Sequence, residues 1–436
     1  MSFEELRKEF LKVAGSKSVY NDPLNSGMFL NLSGALCHKR GLMVDRYGLK
    51  DLRIHALFIQ DTRTGKGESL KVLGKAAELC GLRYTDEVVF TDAGLIGQVN
   101  PSIAQNNRKK GLVKGDPDYQ SPITVGDLGI YDIISFSEGK QMIKTDAYSA
   151  DKLEILQTAM DTNNIIKKKL AEEYPILIQC NATIIGTTYF LEDFERIFLE
   201  QGIFQRMLVF VRDYDDKDRA KLDYELIMGD PAIKTINFDN ELKKFCNKLM
   251  KTVNGIPAGT RLKFTQKGKE ALDRKNKQMR QLINNDFRGN ELKLMSSFTT
   301  ASINHYSKIG GVIAVLNEKD EIGPQEIAIA DRYYIKDYMA SLMRDIVMKV
   351  SDIDDAVVRR SILHTLKTDT TMKGGVVVKG LSRYEIVNLI QSRLPDISEP
   401  RVAKILNTMV RDRMIAIGPV EGKDGTIVQK YAKFER

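Results

Sequence analysis

A lysine between two glycines, Gly65-Lys66-Gly67, follows the short apolar run at residues 54–59 across a polar turn. Beyond it Leu70, Leu73, Ala76, Ala77 and Cys80 recur at helical spacing. A strand, a glycine-bearing loop and a helix in that order wrap backbone N–H groups around an anion. The helix N-terminus adds its partial positive charge, and a lysine neutralises terminal phosphates. On this reading Thr64, Gly65, Lys66, Gly67, Glu68 and Ser69 form a phosphate cradle, with Lys66 the phosphate lysine. The pattern G-x-x-x-x-G-K-[ST] asks for glycine at position 60 and a hydroxyl at 67; Gln60 and Gly67 stand there instead, and Glu68 intervenes before Ser69. An ordinary strand-to-helix turn with a solvated lysine accounts for the same residues, so the loop alone leaves both readings open.

Three more residues have the type and position for phosphate chemistry. Residues 130–136 read as a buried strand that runs into Ser137-Glu138. A carboxylate at the C-terminal end of such a strand can orient a water against a terminal phosphate, and Glu138 is the acid available for that task. Residues 176–180 read as a further strand ending in Asn181, an amide suited to sensing a γ-phosphate. Arg206 precedes the buried strand at 207–211, where an arginine projects from the subunit edge and could complete a neighbour's site. Two basic clusters, Arg108-Lys109-Lys110 and Lys167-Lys168-Lys169, read either as loop tips that grip phosphates without reading sequence or as solvated faces. No set of side chains has the spacing of a dedicated metal site.

The elements that must position these residues fit a chain of 436 residues, long enough for two or three domains with a large core. Hydrophobic residues make up 42% and charged residues 28%, an ordinary globular balance. Lys plus Arg 66 against Asp plus Glu 58 gives a net +8, which permits a polyanionic partner without demanding one. The four cysteines, Cys37, Cys80, Cys180 and Cys246, form no Cys-x-x-Cys pair, and Cys80 and Cys180 sit in apolar patterns as buried thiols would. The N-terminus is charged from its fourth residue and no apolar run is long enough to span a bilayer, so a cytoplasmic protein with no membrane partner is expected.

In order, residues 1–50 read as an amphipathic helix and an irregular lead-in, 51–230 as an α/β core, 231–348 as a helical segment and 349–436 as a separate C-terminal domain. In this C-terminal domain an amphipathic helix is followed by two more, with Ser382 and Ser398 as their N-caps, and a hairpin turning at residues 422–425 closes the chain. Three helices and a two-stranded wing make a winged helix, a variant of the helix-turn-helix. As a DNA reader it would use Arg401, Lys404 and Arg411 of the third helix with Lys423 and Lys430 of the wing; as a docking module it would bind protein.

Taken together, in this order and spacing, the segments resemble the AAA+ ATPase core of the minichromosome-maintenance helicases. More closely, they resemble the compact MCM-like helicases of phages, plasmids and mobile elements. The residues that carry the likeness are Lys66, the AGL helix at Ala93-Gly94-Leu95, Glu138, the lysine-bearing segment 167–169, Asn181 and the Gly202-to-Arg206 spacing. The resemblance implies an α/β P-loop AAA+ core with a helical lid, ATP and Mg²⁺ as cofactors, and assembly into a homo-oligomeric ring, expected to be a hexamer. It implies single-stranded DNA in the central channel and replication proteins as possible winged-helix partners. It makes Glu138, Asn181 and Arg206 catalytic, and gives Lys308, where an arginine is usual, a reach toward an adjacent subunit's γ-phosphate. The function so implied is an ATP-driven DNA helicase. Because Gly67 and Ser137 thin the metal shell, a second reading keeps the nucleotide and drops hydrolysis, leaving a DNA-binding scaffold of a replication initiation complex. A third reading, a monomeric nucleotide kinase suggested by Gly-Lys-Gly, has no use for a trans-acting arginine or a winged helix.

Overall fold

The computed structural model describes residues 1–17, 22–46, 48–60, 64–88, 91–136, 152–162, 165–169, 175–188, 202–212, 219–220, 237–286, 289–342, 355–369, 371–373, 376–394, 397, 399–411, 414–421 and 427–433. The chain divides into two compact units, residues 1–286 with 290–345 and residues 287–289 with 346–436.

The first unit is mixed α/β. Helix α1 (Phe3–Gly15) starts at a capping box in which the Ser2 hydroxyl accepts from the Glu5 N–H and the Glu5 carboxylate accepts from the Ser2 N–H. Its buried Phe3 and Phe10 pack on Phe29 of α2 (Asp22–Lys39), with ring centroids 5.6 and 5.8 Å apart. The sequence reading expects an irregular lead-in across this second segment. The segment is instead a helix buried continuously from Leu24 to Cys37, and a helix covered on every side carries no apolar stripe for periodicity to reveal.

Strands β1 (Met43–Asp45) and β2 (Leu49–Asp51) pair antiparallel, and the fully buried β3 (His55–Gln60) follows. After α3 (Lys66–Leu79) and β4 (Tyr84–Thr85) comes an insertion of α4 (Asp92–Ile96), β5 (Gly97–Val99), α5 (Pro101–Lys110), β6 (Ile123–Val125) and α6 (Asp127–Ile130), its two strands paired antiparallel. The chain goes on through β7 (Ile133–Phe136), α7 (Lys152–Met160) and the antiparallel pair β8 (Ile165–Lys169) and β9 (Pro175–Gln179). It then forms β10 (Thr183–Thr188), the short α8 (Ile203–Arg206) and β11 (Met207–Arg212).

Five of these strands make a wholly parallel central sheet in the order β11-β3-β10-β7-β4. Leaving β3, the chain crosses in one direction to β4 at the far edge; leaving β10, it crosses the other way, past β3, to β11. The carboxyl ends of the neighbours β3 and β10 therefore flank the topological switch point, where open α/β sheets leave a ligand crevice.

The remainder of the unit runs through α9 (Phe238–Asn254), β12 (Arg261–Phe264), α10 (Gln266–Asp286), α11 (Gly289–Leu316), β13 (Glu321–Ile322), α12 (Pro324–Ala330), a π-helical turn (Asp331–Ile335) and α13 (Lys336–Ser341). β12 and β13 join β1 and β2 in a second sheet of order β13-β12-β1-β2. The segments expected as a lead-in, a core and a lid are therefore sewn into one unit. That sewing depends on pairing between residues some two hundred positions apart in the chain, which local pattern does not carry.

The second unit contains α14 (Asp355–Asp369), β14 (Thr371–Lys373), β15 (Val376–Lys379), β16 (Leu381–Ser382), α15 (Arg383–Arg393), α16 (Glu399–Arg411), β17 (Ile415–Glu421) and β18 (Ile427–Lys433). Val358 and Ile362 of the first helix, Ile386 and Ile390 of the second and Leu406 and Met409 of the third share one core with Ile415 and Tyr431. The strands β16-β18-β17 close over that core, and β14 and β15 add a separate hairpin.

Candidate functional site

The loop that opens α3 sits at the switch point, directly after the C-terminal end of β3. Gly65 is the N-cap, in the left-handed region at φ 78°, where a side chain would be strained. Gly65 has no side chain, so the N-cap residue itself makes no side-chain capping bond to the first turn. Lys66 folds back so that its Nζ donates to the Gln60 carbonyl at 2.7 Å. The Thr64 hydroxyl donates to the Gln60 side-chain oxygen at 3.2 Å, and Thr64 and Gln60 are both buried. The side chain standing where the loop pattern wants glycine is thus used to brace the loop. Gly67 and Glu68 are exposed and Ser69 is fully buried, one position into the next turn.

Among the described residues position 67 is open: a Cβ built on it meets nothing within 4 Å. The loop fits a phosphate chain, since it offers a glycine-bearing turn, a helix N-terminus and a lysine. It supplies no hydroxyl at position 67 for a metal, and among the described residues no cluster of His, Cys, Asp and Glu is arranged to hold one. Glu138 lies outside the described residues.

Asn181 does not reach this edge. The sequence reading takes 176–180 as the sheet strand that ends in Asn181, but residues 175–179 pair with β8, and the sheet strand is β10. Asn181 therefore precedes its strand, at the opposite edge of the sheet, with its Oδ1 3.4 Å from His38 Nε2. The residue that occupies the expected place is Thr188. It ends β10, pairs in register with Ile59, and is buried with its hydroxyl unpartnered among the described residues. The signal for it is the apolar TIIGTT run with its terminal threonine pair, masked by the equally strand-like ILIQC before it.

Arg206 and Lys308 also lie at the amino edge. Arg206 immediately precedes β11, whose Met207 pairs with His55 at the start of β3, so the length of β3 separates it from the Lys66 loop, about 17 Å at strand rise. Its guanidinium is clasped by Asp161, with Nε to Oδ1 at 2.8 Å and Nη2 to Oδ2 at 3.1 Å, and its Nη1 donates to the Gly202 carbonyl. The side chain is 30% exposed.

Lys308 of α11 donates to Asp51 Oδ1 at 3.1 Å and to the Arg53 carbonyl at 3.3 Å, and is almost enclosed. It is committed to an internal ion network, where the sequence reading has it reaching outward. Burial lowers its affinity for a proton, an effect Asp51 opposes. Arg53 is wholly buried and donates to Asp51 at 2.8 Å and to the carbonyls of Ala159, Cys180, Ala182 and Asp161. Burial raises the Asp51 carboxyl, but Lys308 and Arg53 outweigh it and hold that group well below the usual carboxylate range. No local pattern in the sequence marks Arg53; it stands in an apolar stretch and is drawn in by three segments that fold over it.

Of the basic clusters, Arg108, Lys109 and Lys110 are exposed in the last turn of α5, where Gly111 caps the helix at φ 63° and the helix dipole favours cations. Lys167, Lys168 and Lys169 lie on β8, with Lys167 exposed and paired in register with the exposed Leu177. In the second unit Arg401 and Lys404 are on α16, Arg411 is exposed in its last turn, and Lys430 is on β18; Lys423 lies outside the described residues.

All four cysteines are buried and none is in a disulfide, and among the described residues no helix is long and apolar enough to cross a membrane. No protein-family model matches the sequence, and no curated protein matches it significantly.

Proposed function

We propose that this protein is an ATP-hydrolysing, ring-forming DNA motor of the MCM-like AAA+ kind, its ATPase core followed by a winged helix. The observation that carries this reading is the placement of the Lys66 loop at the switch point of a five-stranded parallel sheet, with Arg206 at the opposite edge. An arginine a strand's length from its own phosphate loop is out of reach of its own nucleotide and is placed to serve another subunit's. Two paired-strand insertions support the same reading. The β5–β6 unit carries Arg108 to Lys110, and the β8–β9 hairpin carries Lys167 to Lys169, both suited to a nucleic-acid backbone. The helix order and three-stranded sheet of the second unit support a winged helix, with Arg401, Lys404 and Arg411 on its third helix.

In this reading the α3 N-terminus and Lys66 bind the β- and γ-phosphates of ATP. Thr188, at the mouth between β3 and β10, takes the water-orienting role expected of Asn181, with Glu138 as the general base. On ring closure Arg206 exchanges Asp161 for the neighbour's terminal phosphate and stabilises charge on the transferring group. Bound magnesium would neutralise the phosphates, though Gly67 offers it no ligand.

The test is ATP turnover with and without single-stranded DNA for wild type, Lys66→Ala and Arg206→Ala. DNA-stimulated turnover is expected in wild type and lost in both variants, with partial recovery when the two are mixed. Turnover that survives Lys66→Ala would remove the loop from the mechanism. A second reading, nucleotide binding without hydrolysis in a DNA-bound scaffold, is favoured by Gly67 and Ser137, which thin the metal shell. It predicts that wild type and Arg206→Ala retain ATP without cleaving it and that Lys66→Ala loses the nucleotide.

A further inference from the structure

A small cavity of about 80 Å³ lies at the amino edge of the central sheet, away from the Lys66 loop, and is walled by Lys50, Arg53, His55, Arg206, His305 and Lys308 among others. That is room for a few waters or one small ion. Three of its wall groups are buried polar atoms with no hydrogen-bond partner among the described residues: Arg53 Nε, His55 Nε2 and His305 Nε2. The residues that carry them are 0%, 1% and 5% exposed.

The chemistry of these atoms is determined by their neighbours. Arg53 Nε is a donor only. The Ile184 N–H donates to His55 Nδ1 at 3.0 Å, so in the neutral ring the proton resides on Nε2, which is also a donor. His305, a wall residue, donates to the Gln205 backbone carbonyl, so in the neutral ring the proton resides on Nδ1 and the unpartnered Nε2 is an acceptor. Among the described residues four cations, Lys50, Arg53, Arg206 and Lys308, stand against two carboxylates, Asp161 in the wall and Asp51 behind it, an excess of two positive charges. Two buried donors and one buried acceptor beside an excess of positive charge suit a doubly charged hydrogen phosphate, which accepts from the donors and donates its own hydroxyl.

We infer that this cavity binds a tetrahedral oxyanion of the phosphate or sulfate class within a single subunit, at a place distinct from the nucleotide loop. The ion would accept from Arg53 Nε and His55 Nε2, share Arg206 with Asp161 and, as hydrogen phosphate, donate its hydroxyl to His305 Nε2.

The probe is radiolabelled inorganic phosphate in equilibrium dialysis with the full-length Lys66→Ala protein, at ionic strength held constant with chloride. One phosphate per chain is expected, displaced by sulfate. In the Lys66→Ala background, adding His305→Phe or Arg206→Gln should weaken binding at least tenfold while circular dichroism reports an unchanged fold. If His305→Phe does not fold, Arg206→Gln, on a partly exposed residue, decides. Absence of saturable phosphate binding to Lys66→Ala overturns the inference, as does unchanged affinity in the second-site variants.

Discussion

Arg53 pins the amino edge of the central sheet, and replacing it by methionine isolates what that pin is worth. Its guanidinium reaches the Asp51 carboxylate and four backbone carbonyls, at Ala159, Cys180, Ala182 and Asp161. Methionine keeps much of the volume and removes every donor. Asp51 is then left with Lys308 as its remaining cation, 3.1 Å away. Removing one partner of a buried ion pair costs about 3–5 kcal/mol. Each orphaned carbonyl adds roughly 1–3 kcal/mol unless it finds water or another donor. Relaxation recovers part of this, so about 4 kcal/mol is a conservative expectation, a large share of the roughly 5–15 kcal/mol that holds a folded domain. Arg53→Lys should fall in between, because an ammonium retains the charge but cannot span acceptors held by a planar fork. The assay is hydrogen exchange of the β3 and β10 amides under increasing urea, which reports on the first unit alone. Lys66→Met, which removes the hydrogen bond to the Gln60 carbonyl at a partly exposed loop, serves as the control. A cost below about 1 kcal/mol for Arg53→Met would refute the reasoning, since it would mean that the network contributes no more than one ordinary hydrogen bond.

Two further expectations concern pH and the metal shell. Burial pushes the His305 imidazole down to about 3, with nearby Lys308 acting in the same direction. The folded state thus holds this ring neutral while the unfolded chain protonates it near pH 6.5. Its contribution to stability is complete above that value and is lost as pH falls toward the folded pKa. At pH 5 the loss is about 2 kcal/mol, so His305→Phe should flatten the stability profile between pH 7 and 5 by that amount. Urea midpoints at the two pH values check it, and an unaltered slope would show that the ring is not held neutral. At position 67, Gly67→Ser places a hydroxyl where a Cβ meets no atom of the described residues within 4 Å, so stability should be unchanged or rise by about 0.5 kcal/mol. If the missing ligand limits hydrolysis, magnesium-dependent ATP turnover should rise at least tenfold, measured beside nucleotide affinity. Turnover that stays flat while affinity is retained would show that the metal is held elsewhere.

What the sequence determined by itself were the features written in neighbouring residues. The loop at residues 64–69 and its helix, the amphipathic α1, and the helices and hairpin of the second unit all declare themselves through caps, glycines and periodicity within a dozen positions. The tertiary structure alone decided matters that turn on pairing across the chain. It chose residues 183–188 over the equally apolar 175–179 as the sheet strand, because the latter finds a partner in β8, and so moved Asn181 to the amino edge and brought Thr188 to the mouth. It enclosed α2 on all sides, which erased the stripe that would have announced it. It gathered Asp51, Arg53, His55, His305 and Lys308 from two distant segments into one buried network. A charged residue's sequence neighbours do not tell whether other segments will remove it from water. That is settled only when strands and helices far apart in the chain close over it, and the closing converts ordinary polar residues into strongly perturbed groups.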